Sequence, residues 1–160
     1  MEGAMITNAK LDSFYAMLAV PINDSQARAE EESARKLVAV VVDESDTCRL
    51  LKKMIESNPQ YRVFTCLNAL LALPMIIVRR PDLIVLDLNM PWMSGYEALN
   101  RLKSNPQTCH IPVIILTAED GDSAMLHTIR SYADAFIRKP CSKEEILSAV
   151  NRSLAAKKGG

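Results

Sequence analysis

The stretch LIVLDLNMPWMSG, residues 83–95, decides how this chain is read. Four apolar residues, Leu83 to Leu86, run without a polar break and end on Asp87, with Asn89, Pro91 and Gly95 close behind. An uninterrupted apolar run of this length fits a strand covered on both faces, the kind found in parallel sheets. A carboxylate at the end of such a strand is costly to bury unless it is paired, metal-bound or used in chemistry.

Similar runs recur along the chain. LVAVVV (37–42), YRVFTC (61–66), VIIL (113–116) and AFI (135–137) are further strand candidates. YRVFTC alternates and contains Arg62, which suits a sheet edge. Helices fit between the strands. DTCRLLKKMIESN puts Leu50, Leu51, Met54 and Ile55 on one face, with Pro59 beyond its end. SGYEALNRLKSN opens with a capping box, Ser94 and Glu97, and stops before Pro106. DSAMLHTIRSY carries Met125, Leu126, Ile129 and Tyr132 along a stripe. SKEEILSAVNRSL opens with a second box, Ser142 and Glu145, and buries Ile146, Leu147, Val150 and Leu154. Five strand–helix units in a row imply an α/β fold with a doubly wound parallel sheet and right-handed crossovers.

NALLALPMIIVRR is an unusual helix candidate, because ALLALPMIIV has almost no polar outer face and Pro74 suggests a kinked or late start. An apolar outer face needs a cover. Leu11 to Val20 of the chain itself, or a second chain, is the expected cover, and a locally apolar surface on a monomer is the alternative. Residues 1–35 stand outside the strand–helix pattern. KLDSFYAMLAV reads as a short amphipathic helix, and PINDSQARAEEESARK as a linker or a solvated helix. The expected organisation is an N-terminal extension over 1–35, one domain over 36–156 and a tail over 157–160.

Composition narrows the function. The 160 residues carry 19 basic and 19 acidic side chains with no charged block, so nucleic-acid binding is not expected. The longest apolar run, Ala69 to Val78, is too short to span a bilayer, and the N-terminus lacks the pattern of a signal peptide. The four cysteines have no CxxC spacing, and the two histidines complete no zinc pattern. These features read as reduced, structural thiols in a cytoplasmic protein.

In such a sheet the C-terminal strand ends share one edge, and sites form there. Asp43 and Glu44 follow the first strand, Asp87 the third, Thr117 the fourth, and Lys139 the fifth. Clustered acids repel unless a cation sits among them, and hard oxygen donors favour Mg²⁺, which bridges readily to phosphate. With a hydroxyl and an ammonium alongside, the set can hold a transferring phosphoryl group, with Asp87 as nucleophile.

Residues 36–156 resemble the receiver domain of bacterial two-component response regulators. The resemblance rests on VVDE (41–44), LDLNMPWMSG (86–95), ILTAE (115–119) and FIRKP (136–140), in the family's order and near its spacing. It implies a five-stranded, flavodoxin-like sheet of order 2-1-3-4-5. It implies Asp87 as the phosphoacceptor, Asp43 and Glu44 as the Mg²⁺-binding acids, and the backbone carbonyl of Asn89 as a further metal ligand. Thr117 and Lys139 would bind the phosphoryl group, and Phe136 would be the aromatic residue of the switch. Asn89 and Glu119 would tune attack by water, and a cis bond before Pro140 would place Lys139. A sensor histidine kinase or phosphotransfer protein would be the donor, and an unknown protein the target. Dimer formation is compatible with this reading.

The departures are Glu44 for the more usual Asp, Ser94 for a frequent Asp, and Ala135 for a frequent Gly. None removes a reactive group. The implied class is a signalling domain rather than an enzyme. A phosphorylation-independent docking module is the alternative, and an aspartate-nucleophile phosphatase is a further one. The phosphatase would want an acid where Asn89 stands. Trp92, in the loop after Asp87, reads as packing on its own loop. The short tail does not distinguish a stand-alone receiver from a piece of a longer regulator.

Overall fold

A computed structural model describes residues 24–91, 93–118 and 124–157. Helix α1 spans Asp24–Ala34 and belongs to a unit separate from the chain beyond Arg35. Its polar sequence DSQARAEEESA is almost wholly exposed, in keeping with a solvated helix. The amphipathic reading of Leu11 to Val20, and its proposed covering role, fall outside the described residues.

From Arg35 onward strands and helices alternate. They are β1 (Lys36–Val41), α2 (Ser45–Glu56), β2 (Tyr61–Cys66), α3 (Ala69–Arg79), β3 (Leu83–Asp87), α4 (Gly95–Ser104), β4 (Val113–Thr117), α5 (Ala124–Arg130), β5 (Ala135–Arg138) and α6 (Lys143–Lys157). The five strands form one parallel sheet in the order β2-β1-β3-β4-β5. The expected fold and strand order are both present, and YRVFTC is an edge strand. No helix among the described residues is long and apolar enough to cross a membrane.

The continuous apolar runs are explained by two cores, one on each face of the sheet. Val38, Val40, Leu83, Val85, Ile114 and Leu116 pack with Leu51 and Ile55 of α2 and Ile146 and Val150 of α6. Their alternates, Ala39, Val41, Ile84, Leu86, Val113 and Ile115, pack with Ile76 of α3, Leu99 and Leu102 of α4, and Ile129 of α5. Each strand therefore buries both faces, and each helix buries one stripe.

Aspartates close the N-terminal edge of the sheet where neighbouring strands have not yet begun. Asp82 donates its backbone N–H to Leu37 O (2.8 Å), and its carboxylate accepts the Leu37 N–H (2.9 Å). Asp134 repeats the arrangement on Val113, with 2.8 Å for both bonds. Each side chain supplies an acceptor that a longer strand would have supplied from its backbone. On edge strand β2, the Glu56 carboxylate accepts the Val63 N–H (2.9 Å) and Lys52 Nζ donates to Val63 O (2.9 Å).

Local expectations differ from the structure in four places. Leu50 is exposed while Leu51 and Ile55 are buried and Met54 is half-buried, because Leu50 lies on the flank of the stripe. Ser94 Oγ accepts the Glu97 N–H (3.3 Å), but the Glu97 carboxylate turns to Arg101 (2.6 Å), so this capping box is half made. The second box closes both ways: Glu145 accepts the Ser142 N–H (2.7 Å) and Ser142 Oγ accepts the Glu145 N–H (3.2 Å). Tyr132 lies beyond the end of α5 and is exposed; the side chains of Met125 and Leu126 are outside the described residues. Helix α3 begins directly at Ala69, capped by Asn68, whose Oδ1 accepts the Leu70 N–H (2.8 Å), and it runs through Pro74.

Gly95 is fixed by close approach. A methyl group there would lie 2.3 Å from Asp87 O and 2.5 Å from Leu88 Cα. Replacing Gly95 with Ala forces α4 away from the end of β3 and should cost about 1–3 kcal/mol, the usual range for overpacking, measured by urea unfolding.

The Ser142 N–H and hydroxyl hold the Glu145 carboxyl below its usual range. A depressed acid stabilises the fold above its unfolded-state pKa and loses that contribution as pH falls through the folded-state value. The melting temperature of Glu145→Gln should therefore trail wild type at neutral pH, and the gap should close in acid.

Candidate phosphoacceptor site

Asp87 is the last residue of β3 and is 2% exposed. Register puts it beside Leu116 of β4, and the Leu88 N–H bonds Leu116 O (3.0 Å), so the carboxylate leaves a backbone held on the β4 side. Behind it, the Gly95 N–H donates to Leu88 O (3.0 Å), closing the loop 88–95 onto the start of α4. This is the physical sense of the residues that follow the strand. The loop must turn at once and bring α4 into backbone contact with β3, which only glycine allows at position 95.

Both oxygens of the buried carboxylate have partners. Oδ1 accepts the Asn89 N–H (2.9 Å), and Oδ2 accepts from Lys139 Nζ (2.7 Å). The ammonium offsets the cost of burying the charge, and the backbone bond fixes the rotamer. Lys139 is positioned in turn by its own N–H, which donates to Thr117 O (2.8 Å), and by a cis peptide bond to Pro140. Thr117 is buried as the last residue of β4. Asp87, Thr117 and Lys139 are thus drawn together by the ends of β3, β4 and β5.

Asp43 and Glu44 follow β1 and are exposed. Glu44 precedes α2, its carbonyl accepts the Cys48 N–H (2.9 Å), and its carboxylate accepts from Thr47 Oγ1 (2.6 Å). Among the described residues no three His, Cys, Asp or Glu side chains converge to hold a metal ion by themselves. The donor chemistry at this edge is nonetheless all oxygen, which suits a hard cation that keeps waters. Glu119 and Trp92 lie outside the described residues.

Two features went unread in the sequence. Beside Lys139, a groove of about 310 Å³ is lined by Glu44, Thr47, Leu50, Met54, Pro140 and Cys141. Its apolar wall is the flank residue Leu50 with Met54. Burial, with Glu145 nearby, pushes the Cys141 thiol up, so it is a weak nucleophile there. The second is Arg130, whose guanidinium lies 5.9 Å from the centroid of the half-buried Phe136 ring. The separation of the two residues in sequence gave no sign of that stacking.

Comparison with known proteins agrees with this geometry. The response regulator receiver domain family matches residues 38–151. Response regulator PleD of Caulobacter vibrioides is 36% identical over 117 residues, covering 73% of this chain and 25% of that protein. The chain thus spans about a quarter of that relative's length. Protein PilG of Pseudomonas aeruginosa is 32% identical over 122 residues, covering 75% of this chain and 89% of that protein. Among solved structures, the signal receiver domain of a signal transduction histidine kinase from Syntrophus aciditrophicus superposes with a TM-score of 0.68 at 32% identity, covering 76% and 91% of the two chains. With the family matched across most of its length and the fold and strand order in agreement, this chain belongs to the response regulator receiver domain family.

Proposed function

We propose that this receiver accepts a phosphoryl group from a phosphohistidine onto Asp87, with Mg²⁺, and passes the signal on through a protein-interaction surface. The observation that carries the reading is the buried Asp87 carboxylate, aimed by the Asn89 N–H and held 2.7 Å from the Lys139 ammonium. Such a carboxylate is oriented for attack beside a cation that can also bind an incoming phosphoryl oxygen.

Asp43, Glu44, Asp87 and the backbone carbonyl of Asn89 would hold the Mg²⁺, with waters completing its shell. Bound there, the ion would neutralise charge on the phosphoryl group. An Asp87 oxygen attacks phosphorus as the P–N bond of the donor breaks, and the bonding pair leaves with the imidazole. Lys139 then serves a phosphoryl oxygen, and the Thr117 hydroxyl donates to another. Movement of Thr117 toward the phosphoryl group makes room for Phe136 to change rotamer, which biases the surface carrying β5 and α6. By the family resemblance, Asn89 and Glu119 would tune attack by water on the acyl phosphate. The donor, a sensor histidine kinase or phosphotransfer protein, would dock on the groove beside Lys139, where Leu50 and Met54 offer apolar contact.

Intact mass after incubation with Mg²⁺ and acetyl phosphate tests the chemistry. Wild type should gain one phosphoryl group, Asp87→Asn none, and EDTA should abolish the gain. No adduct from acetyl phosphate or from a phosphorylated donor, together with no binding of beryllofluoride, would make the phosphorylation-independent docking module the better reading. Lys139→Met should still fold but slow phosphorylation about 10²-fold, the usual loss for one charge-stabilising donor. Thr117→Ala should remain phosphorylatable while losing the conformational response, followed as the change in methyl NMR spectra on adding beryllofluoride.

A further inference from the structure

The aromatic residue of the proposed switch carries a cation on its ring. The Arg130 guanidinium carbon lies 5.9 Å from the centroid of Phe136, within reach of a cation–π contact. The ring is half-buried and packs on the core shared with α3, α4 and α5, whereas Arg130 is exposed at the end of α5. The charge meets a ring rather than a carboxylate. Asp134 is the only acid between Ala124 and Arg138, and its carboxylate is taken by the Val113 N–H (2.8 Å), with Lys103 Nζ 3.9 Å away.

The backbone between the two residues is held at several points. Ile129 is buried and seats the last turn of α5 on the sheet, and its carbonyl accepts the N–H groups of Tyr132 (2.9 Å) and Ala133 (3.0 Å). Asp134 then fastens the chain to β4, donating its N–H to Val113 O (2.8 Å). Phe136 follows in β5, in register with Ile115 of β4. This bracket presents the two side chains to each other.

We infer that Arg130 is a latch on the switch: stacked on Phe136, it holds the ring in the position of the unphosphorylated receiver and so lowers the population of the signalling conformation. The inference rests on the reading of Asp87 as phosphoacceptor and Phe136 as the switch aromatic. Asp87 Oδ2 pairs directly with Lys139 Nζ (2.7 Å), the arrangement of a free carboxylate, so the stack belongs to the resting state.

The direction of the bias follows from solvation. Turning the ring inward toward the buried Thr117 takes its face away from solvent. A guanidinium that followed it would leave water, at a cost that a single ring contact does not offset. The stack is therefore available to the ring where it now stands and lost when it turns inward. Exposed contacts of this kind shift an equilibrium by about two- to fivefold. A ligand that selects a minor conformation binds more tightly in proportion as that conformation is populated. Arg130 is thus a positioning residue, read out as affinity for a phosphoryl mimic that it does not touch.

Titration of the full chain with beryllofluoride in the presence of Mg²⁺, followed by methyl NMR, tests this. Arg130→Gln removes the cation from an exposed position and should bind about two- to fivefold more tightly than wild type. Arg130→Lys, which keeps a cation, should fall between the two. In a Phe136→Leu background Arg130→Gln should have no effect, because the ring it acted on is gone. Before beryllofluoride is added, the Phe136 ring resonances of Arg130→Gln should lie part-way along the line from the free to the bound wild-type positions. That shift reads the latch directly and decides the matter if Phe136→Leu does not fold.

An Arg130→Gln affinity equal to or weaker than wild type overturns the proposal. So does an equal gain in both backgrounds, or ring resonances that stay at the free position. Each of these leaves the phosphoacceptor reading standing, because the wild-type chain still binds beryllofluoride. A wild-type chain that binds none removes that reading, and the latch falls with it.

Discussion

The ion pair between Asp87 and Lys139 is the contact around which this receiver is arranged. A carboxylate 2% exposed at the end of a central strand is stable only with a cation at hydrogen-bond distance and a backbone donor on its other oxygen. Meeting that requirement draws in the neighbouring strands. β4 must supply the carbonyl that fixes the Lys139 backbone, β5 must end beside it, and the bond to Pro140 must carry the chain away. The loop after Asp87 must close so tightly that position 95 has no room for a side chain. The apolar sheet beneath serves as a rigid mount, with both faces filled, so the charged groups at its edge are positioned by packed strand ends rather than by loops alone.

The two ends of the sheet are built differently. At the N-terminal end, Asp82 and Asp134 spend their carboxylates on backbone groups of the adjacent strand. These acids are structural and have little freedom to do anything else. At the C-terminal end Asp87 meets Lys139, while Asp43 and Glu44 remain exposed. The same residue type thus clamps a neighbouring strand at one edge and faces an ammonium at the other. The difference is whether the backbone donor within reach belongs to the next strand, as for Asp82 and Asp134, or to the residue's own loop, as for Asp87.

Much of this was legible in the sequence because the strands announce themselves. Runs such as LVAVVV and VIIL have no polar interruption, so their ends are unambiguous and the polar residue after each end is readable as an edge residue. The identity of Asp87, Thr117 and Lys139 as neighbours followed from topology alone. Side-chain direction was less legible. Leu50 looked like part of a helical stripe but lies on its flank, because a stripe read from spacing has no sharp border. Glu97 looked like half of a capping box but found Arg101 one turn away, a competing partner that a pairwise motif does not weigh. Arg130 over Phe136, and Lys52 with Glu56 on Val63, depend on separations in space that no spacing rule encodes.

Those last two residues bear on how the molecule avoids its own kind of failure. An edge strand beside an apolar helix is an invitation to open-ended growth, strand upon strand, the geometry of fibres. At the middle of β2 the outward N–H and C=O of Val63 are already occupied by Glu56 and Lys52. A newcomer strand would have to displace an ion pair to add a single rung. A strand approaching this edge thus finds its middle rung already taken, which works against open-ended stacking.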